Sequence, residues 1–333
     1  MFISKLFLFA LAAVTTIAHP GPDLVVPRAE IQRRNGLAKV CASHAADFNR
    51  RRMVKRAMQK RWEGSGHSTT FEITTDAPYY ETIQNDTCVL TPEVTTGPYI
   101  WPRSQILRQD MTEDQPGVPL WLDIGVLDME TCEPLPNILL DLWHCNATGY
   151  YSSFTGISPN IPFPSSLPGP PPGPPGPPVP GKQDVPDWEW DIHTDDTTFS
   201  RGMWPTDENG VMEIKTIFPG FYVGRSLHIH VQAHTDWSVR GNGTIISGNT
   251  VNTGQIYFDE AISQKIMSLE PYVSHTQINR TTNAEDTLFP GSTAGGFNPI
   301  ISIVPADGKD VSKGAIGYIT LGIDTAASRT AKN

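Results

Sequence analysis

Between residues 119 and 323 the chain keeps returning to one pattern, a short apolar and β-branched run closed by Gly, Pro, Asn or Asp. The runs are PLWLDIGVLDM (119–129), NILLDLWHC (137–145), VMEIKTIF (211–218), LHIHVQAH (227–234), GQIYF (254–258) and AIGYITLGI (315–323). In MEIKTIF, residues Met212, Ile214, Thr216 and Phe218 fall on one face of a strand, because successive side chains of a strand alternate sides. Asp207-Glu208-Asn209-Gly210 reads as a hairpin turn. No long helical period alternates with these runs, which excludes a doubly wound α/β fold. Thirty prolines and 28 glycines agree with a turn-rich protein. The expected fold is mainly β, an immunoglobulin/transthyretin-like β-sandwich with a short helical N-terminal arm.

The sandwich is expected over residues 66–333, interrupted by a proline-rich insertion at 158–187. Its core, SPNIPFPSSLPGPPPGPPGPPVPG (158–181), holds too few Gly-Pro-Pro repeats for a collagen helix and reads as an exposed polyproline II excursion. Trp188 and Trp190 are expected to anchor this loop back onto the sandwich, the alternative being an aromatic binding surface beside the insertion. Asp259 and Glu260 read as the solvated start of a helix.

Residues 1–18 have the lysine, apolar core and small-residue end (Thr16-Ile17-Ala18) of a secretory signal peptide. The apolar run is shorter than the about 20 residues a membrane anchor needs. Sequons at Asn85, Asn146, Asn242 and Asn279 agree with a secreted, extracellular glycoprotein. In an oxidising compartment the four cysteines, Cys41, Cys88, Cys132 and Cys145, are expected to form at least one disulfide, favoured among Cys88, Cys132 and Cys145.

Charge separates an arm (19–65) from the body. Between Arg28 and Arg61 there are eleven Lys or Arg against Glu30 and Asp47, whereas from Trp62 onward thirteen bases face thirty-two acids. A basic arm beside an acidic body reads as an intramolecular partner and not as a nucleic-acid binder. Leu37, Val40, Cys41, His44, Ala45 and Phe48 recur at helical spacing. Such a helix docks within one chain or across a homodimer. The arm ends in Lys55-Arg56 and Lys60-Arg61, dibasic pairs that suit a processing protease and would make the arm a propeptide.

Inside the run at 227–234, His228 and His230 project to one face of a strand with Cα atoms about 6.6 Å apart, close enough to share a metal at about 2.0–2.1 Å from each ring. On its own this pair is weak, since two strand histidines also serve by hydrogen-bonding neighbours. His234 has the same parity but lies too far along an extended strand to join them. Upstream lie Tyr222 and Arg225, and earlier Tyr150 and Tyr151, whose ordinary fate is the core or rim of a sandwich.

Three segments occur in order: Trp143-His144-Cys145-Asn146-Ala147-Thr148-Gly149-Tyr150-Tyr151-Ser152, Thr216-Ile217-Phe218-Pro219-Gly220-Phe221-Tyr222 and Arg225-Ser226-Leu227-His228-Ile229-His230. Together with LTPEVTTGPY (90–99) and TGQIYF (253–258) they resemble the intradiol ring-cleavage dioxygenases, most of all the secreted fungal branch, over roughly residues 80–325. The resemblance implies one mononuclear non-haem Fe(III) held by Tyr151, Tyr222, His228 and His230, with Tyr150 competing for the first place. It implies that Arg225 stabilises negative charge on the substrate, that Gln255 orients the ring, and that Tyr222 leaves the metal when a catechol binds. Phenolates favour Fe(III) and neutral imidazoles preserve its Lewis acidity. The implied partners are a catechol-type diol and O2, and the implied product is a cis,cis-muconate. Ile100 departs from the family pattern, which usually continues Gly-Pro-Tyr with another aromatic.

Two other readings use the same residues. A secreted sandwich that binds aromatic or carbohydrate ligands without catalysis would keep the shape and lose the chemistry. A cupin-type oxidase would add a carboxylate and a later histidine, for which His275 sits without a partner motif.

Overall fold

In a computed structural model the described residues are 32, 33, 36, 40, 41, 43–48 and 50–52, then 97–163 without 102–103, and 192–325 without 242–244 and 294–296. The leader, Cys88, Asn85, Asn242, both dibasic pairs, Trp188, Trp190 and the proline tract beyond Phe163 lie outside them.

The body is a β-sandwich of two four-stranded sheets. The strands are β1 (Pro119–Asp128), β2 (Leu139–Trp143), β3 (Arg201–Pro205), β4 (Val211–Ile217), β5 (His228–Val239), β6 (Ile245–Tyr257), β7 (Ser302–Pro305) and β8 (Ala315–Ile323). One sheet runs β4-β1-β8-β7, with β1 and β8 parallel, and the other runs β3-β2-β5-β6, antiparallel throughout. All six expected runs are strands. β3 and β7, too short to show a clear alternation, were not legible in the sequence. Asp207–Gly210 is a tight turn, with Gly210 N–H donating to Asp207 C=O at 2.9 Å and Gly210 at φ +71°. It is not a hairpin, however, because β3 and β4 belong to different sheets and the turn carries the chain across the sandwich.

Period-two alternation places the core. Leu120, Leu122, Ile124 and Val126 of β1 meet Leu140, Leu142, Ile229, Val231, Ala233 and Ile256 of the facing sheet in one buried cluster. Each fully buried aliphatic side chain contributes about 1.5–3 kcal/mol, so these two inner faces dominate stability. The odd-numbered positions of β1 and the even-numbered positions of β5 are thereby turned to the two outer faces.

The arm helix covers the outer face of the first sheet. Its buried stripe is Cys41, Ala45, Phe48 and Arg52, while Val40 and His44, expected on the same stripe, are exposed. Cys41, Ala45 and Phe48 pack with Leu127, Met129, Cys132 and Phe297. Arg52 Nε donates to Asp123 Oδ1 at 2.8 Å and its Nη1 donates to Thr320 Oγ1 at 3.1 Å. Gly125 makes the approach feasible: a Cβ there would lie 2.4 Å from both Phe48 and Arg52. Arg33 pairs with Asp324 as well, so the basic arm is an intramolecular partner of the acidic body. The disulfide joins Cys41 to Cys132 across 91 residues. This corrects the pairing favoured among Cys88, Cys132 and Cys145: Cys145 is a buried free thiol, and the docked arm brings Cys41 to Cys132 instead.

After β6, helix α1 (Glu260–Met267) starts as expected, with Asp259 accepting from Ala261 N–H at 2.8 Å.

Candidate metal centre

The outer face of the second sheet carries the polar residues that the inner face excludes. β5 turns Ile229 and Val231 inward and His228 and His230 outward. The ladder sets Gln255 opposite His230 and Tyr257 opposite His228 on β6, and Trp143 of β2 opposite His230. Trp143 stacks on the His230 ring at 4.8 Å and 5°, which fixes the imidazole plane. His234 shares the face but follows a register shift at Ala233/His234 and pairs its Nδ1 with Thr250 Oγ1 at 3.2 Å, away from the other two.

Two loops close over this face. The loop after β2 brings Tyr151, and the loop after β4 brings Tyr222. They are pressed together at Gly149, where φ is +92° and a Cβ would stand 2.3 Å from Phe221 O; only glycine fits. His275 holds the same junction by stacking on Phe221 at 4.5 Å and bonding Asn160 Oδ1 at 2.6 Å. This is its role in the fold, and it stands apart from the metal-donor cluster. Arg201, buried on β3, clamps the first loop, donating to Ser152 Oγ at 2.8 Å, Ser152 O at 2.9 Å and Tyr99 O at 2.8 Å.

The result is a cluster of four donors. Tyr222 Oη lies 3.3 Å from His228 Nε2, His228 Nε2 lies 3.2 Å from His230 Nε2, and His230 Nε2 lies 3.2 Å from Tyr151 Oη. The Tyr151 and Tyr222 rings meet edge-on at 5.6 Å, which brings the two ends of this run together. Ligands about 2.0–2.1 Å from one ion at ordinary bond angles stand roughly 2.9–3.4 Å from each other, so the four atoms are spaced as donors to a single cation. His228 Nδ1–H donates to Ser226 C=O at 2.7 Å, which leaves the Nε2 lone pair aimed at the centre. Tyr150, the competing residue, is half-buried, whereas Tyr151 is 2% exposed and inside the cluster. Among the described residues no cluster of three or more His, Cys, Asp or Glu is placed to bind a metal; this donor set is half phenolic.

The surroundings set the electrostatics. Burial pushes the Tyr151 and Tyr222 phenols above their ordinary range, against the opposing pull of Arg225. A cation between them would reverse that balance. Arg225 is fully buried, with Nη1 at 3.3 Å from Tyr222 Oη and Nη2 at 3.2 Å from Tyr257 Oη. Gln255 Oε1 accepts from Arg225 and, at 2.8 Å, from Tyr257 Oη, whereas Gln255 Nε2 is buried with no partner. Tyr99 stacks on Tyr151 at 4.3 Å and meets Phe154, Phe163 and Tyr222 edge-on, with Ile100 packed at the margin of this aromatic cluster.

Tyr99, Arg201 and Tyr257 were not singled out from the sequence, although Tyr99 and Tyr257 sit inside quoted segments. Arg201 gave no signal, because its partners are backbone carbonyls and a serine far away in the chain.

No protein-family model matches the chain, and no curated protein matches it. Among solved structures it is similar to an intradiol ring-cleavage dioxygenase from Tetranychus urticae, with 30% identity and a TM-score of 0.55, over 73% of this chain and 98% of that one. A second dioxygenase crystal structure is 29% identical with a TM-score of 0.54, over 73% of this chain and 97% of that one.

Proposed function

Because the chain belongs to the intradiol ring-cleavage dioxygenases, we propose that it holds one non-haem Fe(III) on Tyr151, Tyr222, His228 and His230. With that ion it cleaves catechol-type diols with O2 to cis,cis-muconate-type products. The observation that carries this reading is the convergence of four donors through three successive contacts of 3.2–3.3 Å.

A bound ferric ion would supply the Lewis acidity and charge transfer that make a coordinated catecholate reactive toward O2. The protein supplies the rest. Tyr222 Oη takes a proton from the incoming catechol, and Arg225 Nη1, 3.3 Å away, donates to the phenol oxygen and holds it in place. Arg225 then presents a fixed positive charge to the negative charge that develops on the ring, in a site whose low dielectric strengthens the interaction. Gln255 Nε2, buried without a partner, donates to a substrate oxygen and holds the ring in register. Tyr99, Phe154 and Phe163 give the planar substrate an apolar wall. Water is excluded, because none of Tyr151, Tyr222, Arg225, His228, His230 and Gln255 is more than 4% exposed.

We further infer that the protein is secreted and glycosylated. The leader over 1–18 and the four sequons support this, as does the Cys41–Cys132 disulfide, which persists in oxidising compartments.

The test is turnover of catechol under 18O2 with mass analysis of the product. The reading requires a ring-opened diacid carrying one labelled oxygen in each carboxyl group. An unchanged catechol with iron-loaded protein, or ring-opened product without label, sinks it.

A further inference from the structure

The donor cluster is held from behind by a residue that no motif includes. Asp286 lies in the loop after α1, and its side chain is fully buried, as is that of Arg225. Arg225 Nε donates to both carboxylate oxygens of Asp286, at 3.1 Å and 3.0 Å. Ser226 N–H and Ser226 Oγ–H donate to Oδ2 at 2.9 Å and 3.0 Å, and Leu288 N–H donates to Oδ1 at 2.8 Å. The same Ser226 offers its carbonyl to His228 Nδ1–H at 2.7 Å. One carboxylate thus governs the guanidinium directly and the first histidine through a single residue, Ser226.

The loop that carries it is anchored. Asp286 N–H donates to Thr282 O at 3.0 Å, Asn283 Nδ2 to Phe258 O at 2.8 Å and Asn283 N–H to Glu260 Oε1 at 2.7 Å. Glu260 and Phe258 follow directly on the strand that bears Gln255 and Tyr257, so Asp286 is fixed to the same framework as the substrate-facing residues. With Nε committed to Asp286, the planar guanidinium has one orientation. Its Nη edge faces Tyr222, His228, Gln255 and Tyr257.

We propose that Asp286 is the positioning residue for this centre: it locks Arg225 and, through Ser226, His228, so that the positive edge and the first imidazole meet the reacting atoms in register. The inference rests on the ring-cleavage reading above. Removing an orienting partner of this kind costs about 10–100-fold in activity or metal affinity.

The experiment compares wild type, Asp286→Asn, Asp286→Glu, Arg225→Lys and the double variant Arg225→Lys/Asp286→Asn, each loaded with iron. Asp286→Asn is expected to keep its circular dichroism, lower kcat per iron about 10–100-fold with KM changed less than about threefold, and shift the visible band of the resting protein. In the Arg225→Lys background the same substitution is expected to cost less further in kcat than it does alone, because one of its two routes, the one through Arg225, is already broken. If Asp286→Asn does not fold, Asp286→Glu carries the test; it keeps the charge, displaces it, and is expected to lose about tenfold in kcat. Unchanged kcat and unchanged colour in a folded variant, or losses that multiply fully in the double variant, overturn the proposal. A wild-type protein that binds iron but does not open catechol removes the ring-cleavage reading and this inference with it. A wild type that turns over beside an indifferent Asp286→Asn removes the inference alone.

Discussion

Tyr151 Oη and His230 Nε2 lie 3.2 Å apart across 79 residues of sequence. The contact joins a loop to the outer face of a sheet, and it distinguishes Tyr151 from its neighbour. Tyr151→Phe keeps the ring that stacks on Tyr99 and removes only the oxygen. It is expected to lower iron affinity at least about tenfold and to lower catechol turnover with it. Tyr150→Phe is expected to leave both within about twofold. Iron content and kcat measured on the two variants check this; equal effects would put the donor at Tyr150.

The arm and the centre cover opposite outer faces of the sandwich. Proteolysis after Lys55-Arg56 or Lys60-Arg61 is therefore expected to leave the arm attached through Cys41–Cys132 and to leave turnover unchanged. Electrophoresis of the nicked protein with and without reductant reads this directly. One band that splits on reduction is the expected result, and loss of the arm without reductant contradicts it.

His234 is buried, and burial lowers its pKa to about 4. The native state then binds fewer protons than the unfolded state, whose histidine titrates near 6.5. Stability from this group is fully present above about pH 6.5 and is lost as pH falls toward 4, by roughly 3 kcal/mol at most. His234→Asn retains a group to pair with Thr250 and does not charge. Urea denaturation of both proteins between pH 7 and 4 should show the wild-type advantage shrinking as pH falls; parallel curves would contradict the assignment.

The sequons differ in what folding leaves accessible. Asn279 is exposed. Asn146 donates through Nδ2 to Gln115 Oε1 at 3.0 Å, and its Oδ1 accepts from Thr148 N–H and Oγ–H at 3.1 Å and from Tyr150 N–H at 3.0 Å. Peptide mass spectrometry is expected to find glycan on Asn279 and none on Asn146. A glycan at Asn146 in active protein would contradict the turn that positions Tyr151.

The sandwich was legible because β1, β4 and β5 alternate cleanly, and inner and outer faces follow from parity alone. His228 and His230 were legible for the same reason. What a strand pattern cannot convey is which loops return to cover a face. Arg201 reaches back to Ser152 and Tyr99, and Asp286 reaches Arg225 across 61 residues; neither belongs to a local motif. The disulfide is hidden from the sequence for a related reason. Cys41 lies in the arm, and only the docked helix, admitted by Gly125, shows that the arm belongs to the body.

The most direct test of the four-donor centre is the visible absorption spectrum of the purified protein with iron quantified, before and after catechol is added in air. The account predicts one iron per chain, a tyrosinate-to-iron charge-transfer band that shifts when catechol binds, and decay of the shifted band as muconate forms. A protein that stays colourless after reconstitution with Fe(III), or that holds the ion with no tyrosinate band, would contradict it.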